Sequence, residues 1–375
     1  MSTTGTTTGT TPSAPGTTYA DAGVDTVAGD RAVELMKASV ARTQGPQVVG
    51  GFGGFAGLYD ASALKDHRRP LLATSTDGVG TKVAVAQALD SHGTIGADLV
   101  GMVVDDIVVV GATPLFMTDY IACGRVVPER TAAIVAGIAR ACEEAGVALV
   151  GGETAEHPGL LGPDEYDVAG AVTGVVEADE VLGAERVRAG DVLVAMASSG
   201  LHSNGYSLVR RVFADAGWGY EREVPEFGRT LGEELLTPTR IYARPVLATL
   251  ASGGVHALSH VTGGGLAANL ARCLPEALTA EVDRSTWTPG AVFSLVRDLG
   301  RVPADDLERT LNLGVGMVAV VAPEQADAVV RSTEQAGIPA WVCGRVRERS
   351  AGDGPSNGKG IAGGVTLLRG RHQGW

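Results

Sequence analysis

Residues Val100–Ala112 read VGMVVDDIVVVGA, a run in which Asp105 and Asp106 are the only charged side chains. If the run is helical, Leu99, Met102, Val103, Asp106 and Val110 share one face; if it is extended, one of the two carboxylates points the same way as its apolar neighbours. Either way at least one carboxylate is enclosed by the fold, and an enclosed ionised carboxylate needs a partner or a cation. Two adjacent acids suit a hard-oxygen metal site. A capping or salt-bridged pair explains the same residues. The two charges also break the run far short of the roughly 20 apolar residues that a bilayer helix needs.

The chain around this run has 375 residues, 45% of them apolar, with 30 basic against 43 acidic side chains and a formal charge of −13. That length points to two cores, and the charge argues against nucleic acid as a partner. Residues 1–18 have neither a basic start nor an apolar stretch, so they do not read as a secretory signal, and a cytoplasmic location is expected. Cys123, Cys142, Cys273 and Cys343 lack the close spacing of a zinc site or redox motif and read as small core residues. Glycine makes up about 14% of the chain, roughly twice average usage, and is concentrated in five short polar loops.

Upstream and downstream of the acidic run, Leu71–Thr74, Leu115–Ala122, Ala148–Val150 and Val168–Val176 read as strands, and Asp30–Thr43 and Pro128–Ala145 as helices. After Glu177 the alternation restarts. Strands are expected over Asp191–Ala197, His256–His260, Leu313–Val321 and Ala340–Val346. Helices are expected over Ser203–Ala216, Ile241–Ser252, Gly264–Cys273, Pro289–Leu299 and Pro323–Ala336. The boundary falls near Gly170–Glu177. The expected units are a disordered extension (1–18), a first domain (19–173), a second domain (174–349), and a low-complexity segment and tail (350–375).

The glycine loops carry the chemistry. TDGVGTK, Thr76–Lys82, gathers an acid, two glycines, a hydroxyl and a lysine, as a phosphate and magnesium loop would; an ordinary Asp-Gly turn fits too. GGFGGFAG, Gly50–Gly57, suits a flap over a nucleotide, with Phe52 and Phe55 closing it against water, or a surface loop. GGETAEHPG places Glu153 just past a strand, where a carboxylate can ligate a metal or act as a base. SSGLHSNG, Ser198–Gly205, and HVTGGGLAANL, His260–Leu270, each join a strand to a helix through a loop with free amides for an anion. His202 adds a proton donor or, equally, a capping group. Two such loops in one domain suggest a phosphorylated substrate.

Taken in order, TYADAGVD, GGFGGFAG, TDGVGTK, DDIVVVGATPLF, VGGETAE, YDVAG, SSGLHSNGYSLVR, TPTRIY, HVTGGG and NLGVGM closely resemble the phosphoribosylformylglycinamidine cyclo-ligase family of purine biosynthesis. The likeness runs from Tyr19 to about Val346. It implies a two-domain α+β and α/β protein: a mainly antiparallel N-terminal sheet with helices, closed into a barrel by homodimerisation, and a larger C-terminal α/β layer. It implies ATP-dependent cyclisation of formylglycinamidine ribonucleotide to aminoimidazole ribonucleotide, with Mg2+, through a phosphorylated amide.

By the same resemblance, Lys37, Gly50, Gly51, Phe52, Gly53, Gly54, Asp77 and Gly78 belong to the ATP side. Asp77, Asp105, Asp106 and Glu153 would be metal ligands. His202, Asp106 and Lys82 would be catalytic, His202 as acid or base and Lys82 as a cation. Ser199, His202, Ser203, Asn204, Thr262, Gly263 and Gly264 would bind the substrate. The chain departs from the family pattern at Asp105, where Asn is usual. Thiamine monophosphate kinase, selenophosphate synthetase, a hydrogenase-maturation dehydratase and formylglycinamidine ribonucleotide synthetase share the architecture and offer other acceptors, but no Cys precedes Cys123, as selenophosphate synthesis would want. A nucleotide sensor without turnover is the alternative from another class.

Overall fold

The computed structural model describes residues 18, 19, 22–51, 53–251 and 253–375. The expected extension, apart from Thr18, and Phe52 of the glycine flap lie outside the described residues. In the first half the elements are α1 (Thr26–Thr43), β1 (Val48–Val49), β2 (Leu58–Tyr59), β3 (Pro70–Gly78), α2 (Val83–Ala88), α3 (Ile95–Val108), β4 (Thr113–Cys123), α4 (Pro128–Ala145), β5 (Ala148–Glu156) and β6 (Tyr166–Glu177). The second half has β7 (Val192–Ala197), α5 (Tyr206–Asp215), β8 (Glu223–Val224), β9 (Arg229–Thr230), α6 (Leu231–Leu235), α7 (Ala243–Leu250), β10 (Val255–His260) and α8 (Gly265–Ala271). It continues through β11 (Leu278–Asp283), α9 (Ala291–Gly300), α10 (Ala304–Thr310), β12 (Val315–Val321), α11 (Ala326–Gln335), β13 (Ala340–Glu348) and β14 (Val365–Arg369).

The acidic run is the end of helix α3, buried almost all round, which is why its apolar residues gave no clean period. Helix α1 starts four residues before the sequence signal at Asp30 because Asp25 caps it: Oδ1 accepts from the amides of Val27 and Ala28 at 3.0 Å each. Helix α4 has Pro128 in its first turn and ends on Gly146 at φ +78°.

Four strands form the first sheet in the order β3-β6-β4-β5, antiparallel except for the β4–β5 pair. Helices α3 and α4 cover one face. On the other, the register aligns Thr76, Ala171 and Thr118, and Thr118 and Tyr120 are exposed. The second sheet has six strands, β10-β12-β7-β13-β11-β14, antiparallel except for β11–β14. Both its faces are apolar. One joins a cluster that reaches back through Tyr242 and Leu236 to Leu99 and Ile107 of α3; the other packs Leu193, Val318 and Ala280 under Leu266 and Leu270 of α8.

Residues 350–375, expected to stand apart from this core, instead supply edge strand β14, which pairs in parallel with β11 from Thr279↔Val365 to Asp283↔Arg369. Their glycine-rich lead hid a strand that needs only a neighbour's free edge. The four cysteines are free thiols. Among the described residues no helix is long and apolar enough to cross a membrane.

Candidate functional site

Helix α3 faces the second half of the chain with Asp98, Gly101 and Asp105, three positions at helical spacing. Asp98 Oδ1 accepts from Lys82 Nζ at 2.7 Å, from the Thr239 amide at 2.8 Å and from Thr239 Oγ1 at 2.6 Å. Lys82 also donates to the carbonyls of His202 (3.1 Å) and Thr237 (2.6 Å). Its three protons are spent, and it has no exposed surface. Burial pulls the ammonium pKa down against the opposing pull of Asp98. The resemblance implied a catalytic cation at Lys82; in the structure its ammonium ties the two halves together through Asp98, His202 and Thr237.

Asp105, expected as a metal ligand, is enclosed; its carboxylate accepts from the Tyr242 amide at 3.0 Å (Oδ1) and 3.2 Å (Oδ2) and holds the start of α7. Burial pushes its pKa up to about 7. Asp106, one residue on, emerges on the other side of the helix and is partly exposed; its Oδ1 lies 2.9 Å from His260 Nδ1.

His202 was expected as an acid or base. It is buried, sits at φ +59°, and its Nε2 accepts from the Ser199 amide at 3.1 Å, which assigns the proton to Nδ1. Burial first, then the charges of His260, Lys82 and Arg240, drives its pKa well below the ordinary value of 6.5. A neutral imidazole so held braces the Ser198–Gly205 loop. The loop is tied further by Ser199 Oγ to the Pro238 carbonyl (2.7 Å) and by contacts of Ser203 with Thr239 and of Asn204 with Met102. Ser203 and Asn204 stand in the loop, since α5 begins only at Tyr206 after Gly205 at φ +76°.

His260, quoted in the sequence motif but given no role there, takes the place left open. Burial opposes its protonation, yet the hydrogen bond to Asp106 and the charges of Asp105, Asp106 and Asp77 outweigh that and raise its pKa. Its Nε2 is buried without a partner among the described residues. The signal available in the sequence was a histidine ending a strand immediately before a triple-glycine turn. In that turn the carbonyls of Thr262 and Gly265 accept from Asn269 Nδ2 at 3.2 and 2.9 Å.

Asp77 is exposed at the end of β3, and its Oδ1 accepts from the Gly78 amide at 2.8 Å. Glu153 lies on β5, a strand that runs on past its expected end, and lines a different wall. Among the described residues no three acidic, histidine or cysteine side chains are grouped closely enough to hold a metal by themselves. The proposed quartet is therefore not one cluster. Asp77, exposed, and Asp106, partly exposed and bonded to His260, are hard-oxygen donors, which fits Mg2+, an ion that takes one or two carboxylates and completes its shell with water and phosphate.

A groove of about 740 Å³ opens between α1, the glycine flap and β4–β5, lined by Met36, Gly51, Gly53, Gly54, Asp119 and Glu153 among others. Lys37 is not in its lining and pairs with Glu34 on the exposed side of α1. Gly50 flanks the lining at φ +93°, and Phe55 lines the groove while standing fully exposed. Asp119, unremarked in the sequence, is buried in the groove floor, and burial raises its pKa to about 7. A Cβ at Gly152 would lie 2.0 Å from Asp119 Oδ1, so only glycine leaves room for that carboxylate. Its signal was an acid between Thr118 and Tyr120 on the core-facing register of a strand.

Residues 59–176 match the family model described as AIR synthase related protein, N-terminal domain, and residues 188–354 match its C-terminal domain counterpart. A phosphoribosylformylglycinamidine cyclo-ligase of Desulfitobacterium hafniense (strain DSM 10664 / DCB-2) is 49% identical over 337 residues, covering 90% of this chain and 98% of that one. The enzyme of the same name from Anaeromyxobacter sp. (strain Fw109-5) is 49% identical over 329 residues, 88% and 95% of the two chains. Among solved structures, thiamine-monophosphate kinase from Stenotrophomonas maltophilia K279a superposes with a TM-score of 0.61 at 17% identity, covering 91% of this chain and 96% of that one. Hydrogenase maturation protein HypE in complex with ATP gives 0.58 at 20% identity, with 91% of each chain covered. At such identities these structures show a shared fold.

Proposed function

Because the chain belongs to the phosphoribosylformylglycinamidine cyclo-ligase family, we propose a mechanism for its ATP-dependent closure of formylglycinamidine ribonucleotide to aminoimidazole ribonucleotide, ADP and phosphate, in which the working groups stand around His260 in the seam between the halves. The γ-phosphoryl group of ATP passes to the formamide oxygen. The amidine nitrogen then attacks the formyl carbon, and the carbon–oxygen bond breaks with release of phosphate carrying that oxygen. Loss of a proton leaves the aromatic ring.

The observation that carries this reading is the His260–Asp106 contact, which joins a first-half helix to the head of a second-half glycine loop. Asp106 favours the protonated form of His260, and Nε2 is the position from which a proton is offered to the oxygen that leaves. Mg2+, held by Asp77 and Asp106, would spread the charge of the transferred phosphoryl group. Gly51, Gly53 and Gly54 line the groove that takes ATP in this reading; HypE, a protein of the same fold, has been solved in complex with ATP. Ser199, Ser203, Asn204 and Thr262–Gly264 form the substrate wall. A second copy closes a barrel on the exposed face of the first sheet, where Thr118 and Tyr120 also line the groove. The setting is the cytoplasm.

The experiment supplies formylglycinamidine ribonucleotide, ATP and magnesium, omits each in turn, and follows ADP and aminoimidazole ribonucleotide together. One-to-one formation of both, abolished by any omission, supports the reading; ADP without the imidazole would refute it.

A further inference from the structure

The chain has four lysines, and neither of the two that the sequence assigned to the site has a free ammonium for the substrate wall: Lys82 is sealed against Asp98 and the carbonyls of His202 and Thr237, and Lys37 is paired with Glu34. Lys359 does face it. It lies beyond residue 354, where the match to the C-terminal family model ends. Its Nζ donates to the Gly263 carbonyl at 2.8 Å. Its Cδ would lie 3.2 Å from a Cβ at Gly264, a residue at φ +108°, so the lysine stem packs where only glycine is admitted. A Cβ at Gly263 would have Lys359 Nζ at 3.6 Å and Asn204 Oδ1 at 3.3 Å, which places the ammonium beside both substrate loops at once.

The segment that delivers Lys359 is built into the fold. The Lys359 amide donates to the Ala268 carbonyl at 3.1 Å. Asn357 brackets Thr366 of β14, its Nδ2 donating to the Thr366 carbonyl at 2.8 Å and its Oδ1 accepting the Thr366 amide at 2.9 Å. Ser356 Oγ accepts the Gly363 amide at 3.2 Å. In the two loops themselves, His202 Nδ1 and His260 Nε2 are buried without partners among the described residues.

We propose that Lys359 is a substrate-binding residue: its exposed ammonium takes a phosphate monoester against the Thr262–Gly264 loop and Asn204. An ammonium carries three protons, and Gly263 holds one. The chain carries a formal charge of −13, and Asp106 pairs with His260 at the head of the same loop, so a dianionic phosphate needs a point positive charge there. This inference rests on the cyclo-ligase reading, whose substrate is a ribonucleotide; the phosphate of that substrate and the phosphates of ATP share the chemistry, and kinetics separates them.

Steady-state rates of Lys359→Gln and Lys359→Arg test it, alongside thermal midpoints. In Lys359→Gln the KM for formylglycinamidine ribonucleotide is expected to rise about tenfold or more, with kcat, the KM for ATP and the thermal midpoint little changed. Lys359→Arg is expected to recover most of the loss. A phosphate-free riboside inhibitor is expected to bind wild type and Lys359→Gln alike. An unchanged substrate KM, a rise confined to ATP, or an equal loss of riboside binding would overturn the assignment. Wild-type protein that binds ATP yet gives no substrate-dependent ADP would instead overturn the cyclo-ligase reading beneath it.

Discussion

His260 Nδ1 and Asp106 Oδ1 meet at 2.9 Å although 154 positions separate them in the chain. The contact raises the His260 pKa despite the burial that opposes protonation. The stability it contributes is therefore present below the ordinary value near 6.5 and is lost as pH rises through the raised value. Asp106→Asn removes the charge and keeps the shape. It is expected to lower the His260 pKa, read from the imidazole resonances by NMR, and to move the alkaline limb of kcat/KM to lower pH. An unmoved resonance would refute the pairing.

Asp105 gives the opposite sign. Its pKa of about 7 lies above the ordinary 3.8, so the folded state prefers the protonated form, and stability falls as pH rises from about 4 to 7. Asp105→Asn still accepts the Tyr242 amide and cannot ionise. Its thermal midpoint is expected to exceed that of wild type above pH 7, with the gap growing by up to about 1.4 kcal/mol per pH unit across that window. Scanning calorimetry from pH 4 to 8 checks it; a variant less stable at every pH would argue that the carboxylate is needed charged.

The Lys82–Asp98 pair has no exposure on either side chain. Lys82→Met leaves Asp98 charged, buried and unpaired, and is expected to cost about 3–5 kcal/mol. Lys82→Met with Asp98→Leu is expected to recover part of that loss. Chemical denaturation of the four members of the cycle measures the coupling, and additive losses would contradict the tie.

Gly96 packs α3 onto α4 so tightly that a Cβ would lie 1.9 Å from the Ile138 amide nitrogen. Gly96→Ala is expected to destabilise by about 3 kcal/mol or fail to accumulate folded. Gly29→Ala, in α1 with nothing within 4 Å of the new carbon, is expected to gain about 0.5–1 kcal/mol from helix propensity. Thermal midpoints of the pair settle the comparison.

Local signals carried the elements that announce their own ends: Pro128 opens α4 and Gly146 closes it. They failed where pairing is remote. Strand β14 is legible only through β11, more than 80 positions earlier, and the apolar surroundings of Asp105 and Asp106 left helix and strand open. The motifs marked the right loops but not the work of each side chain. TDGVGTK presented Lys82 as a free cation because nothing nearby in sequence shows that His202, Thr237 and Asp98 close around it. His260 and Asp106 were both in view, each in its own motif, and only the docking of one half on the other makes them a pair.

The central claim is that Asp106, and not its neighbour Asp105, serves the reaction. Single-turnover ADP formation in Asp106→Asn and Asp105→Asn, measured side by side with saturating formylglycinamidine ribonucleotide and ATP, tests it most directly. A loss of about 10²-fold or more at position 106 with near wild-type turnover at position 105 is the expected result. Equal losses, or the larger loss at Asp105, would contradict it.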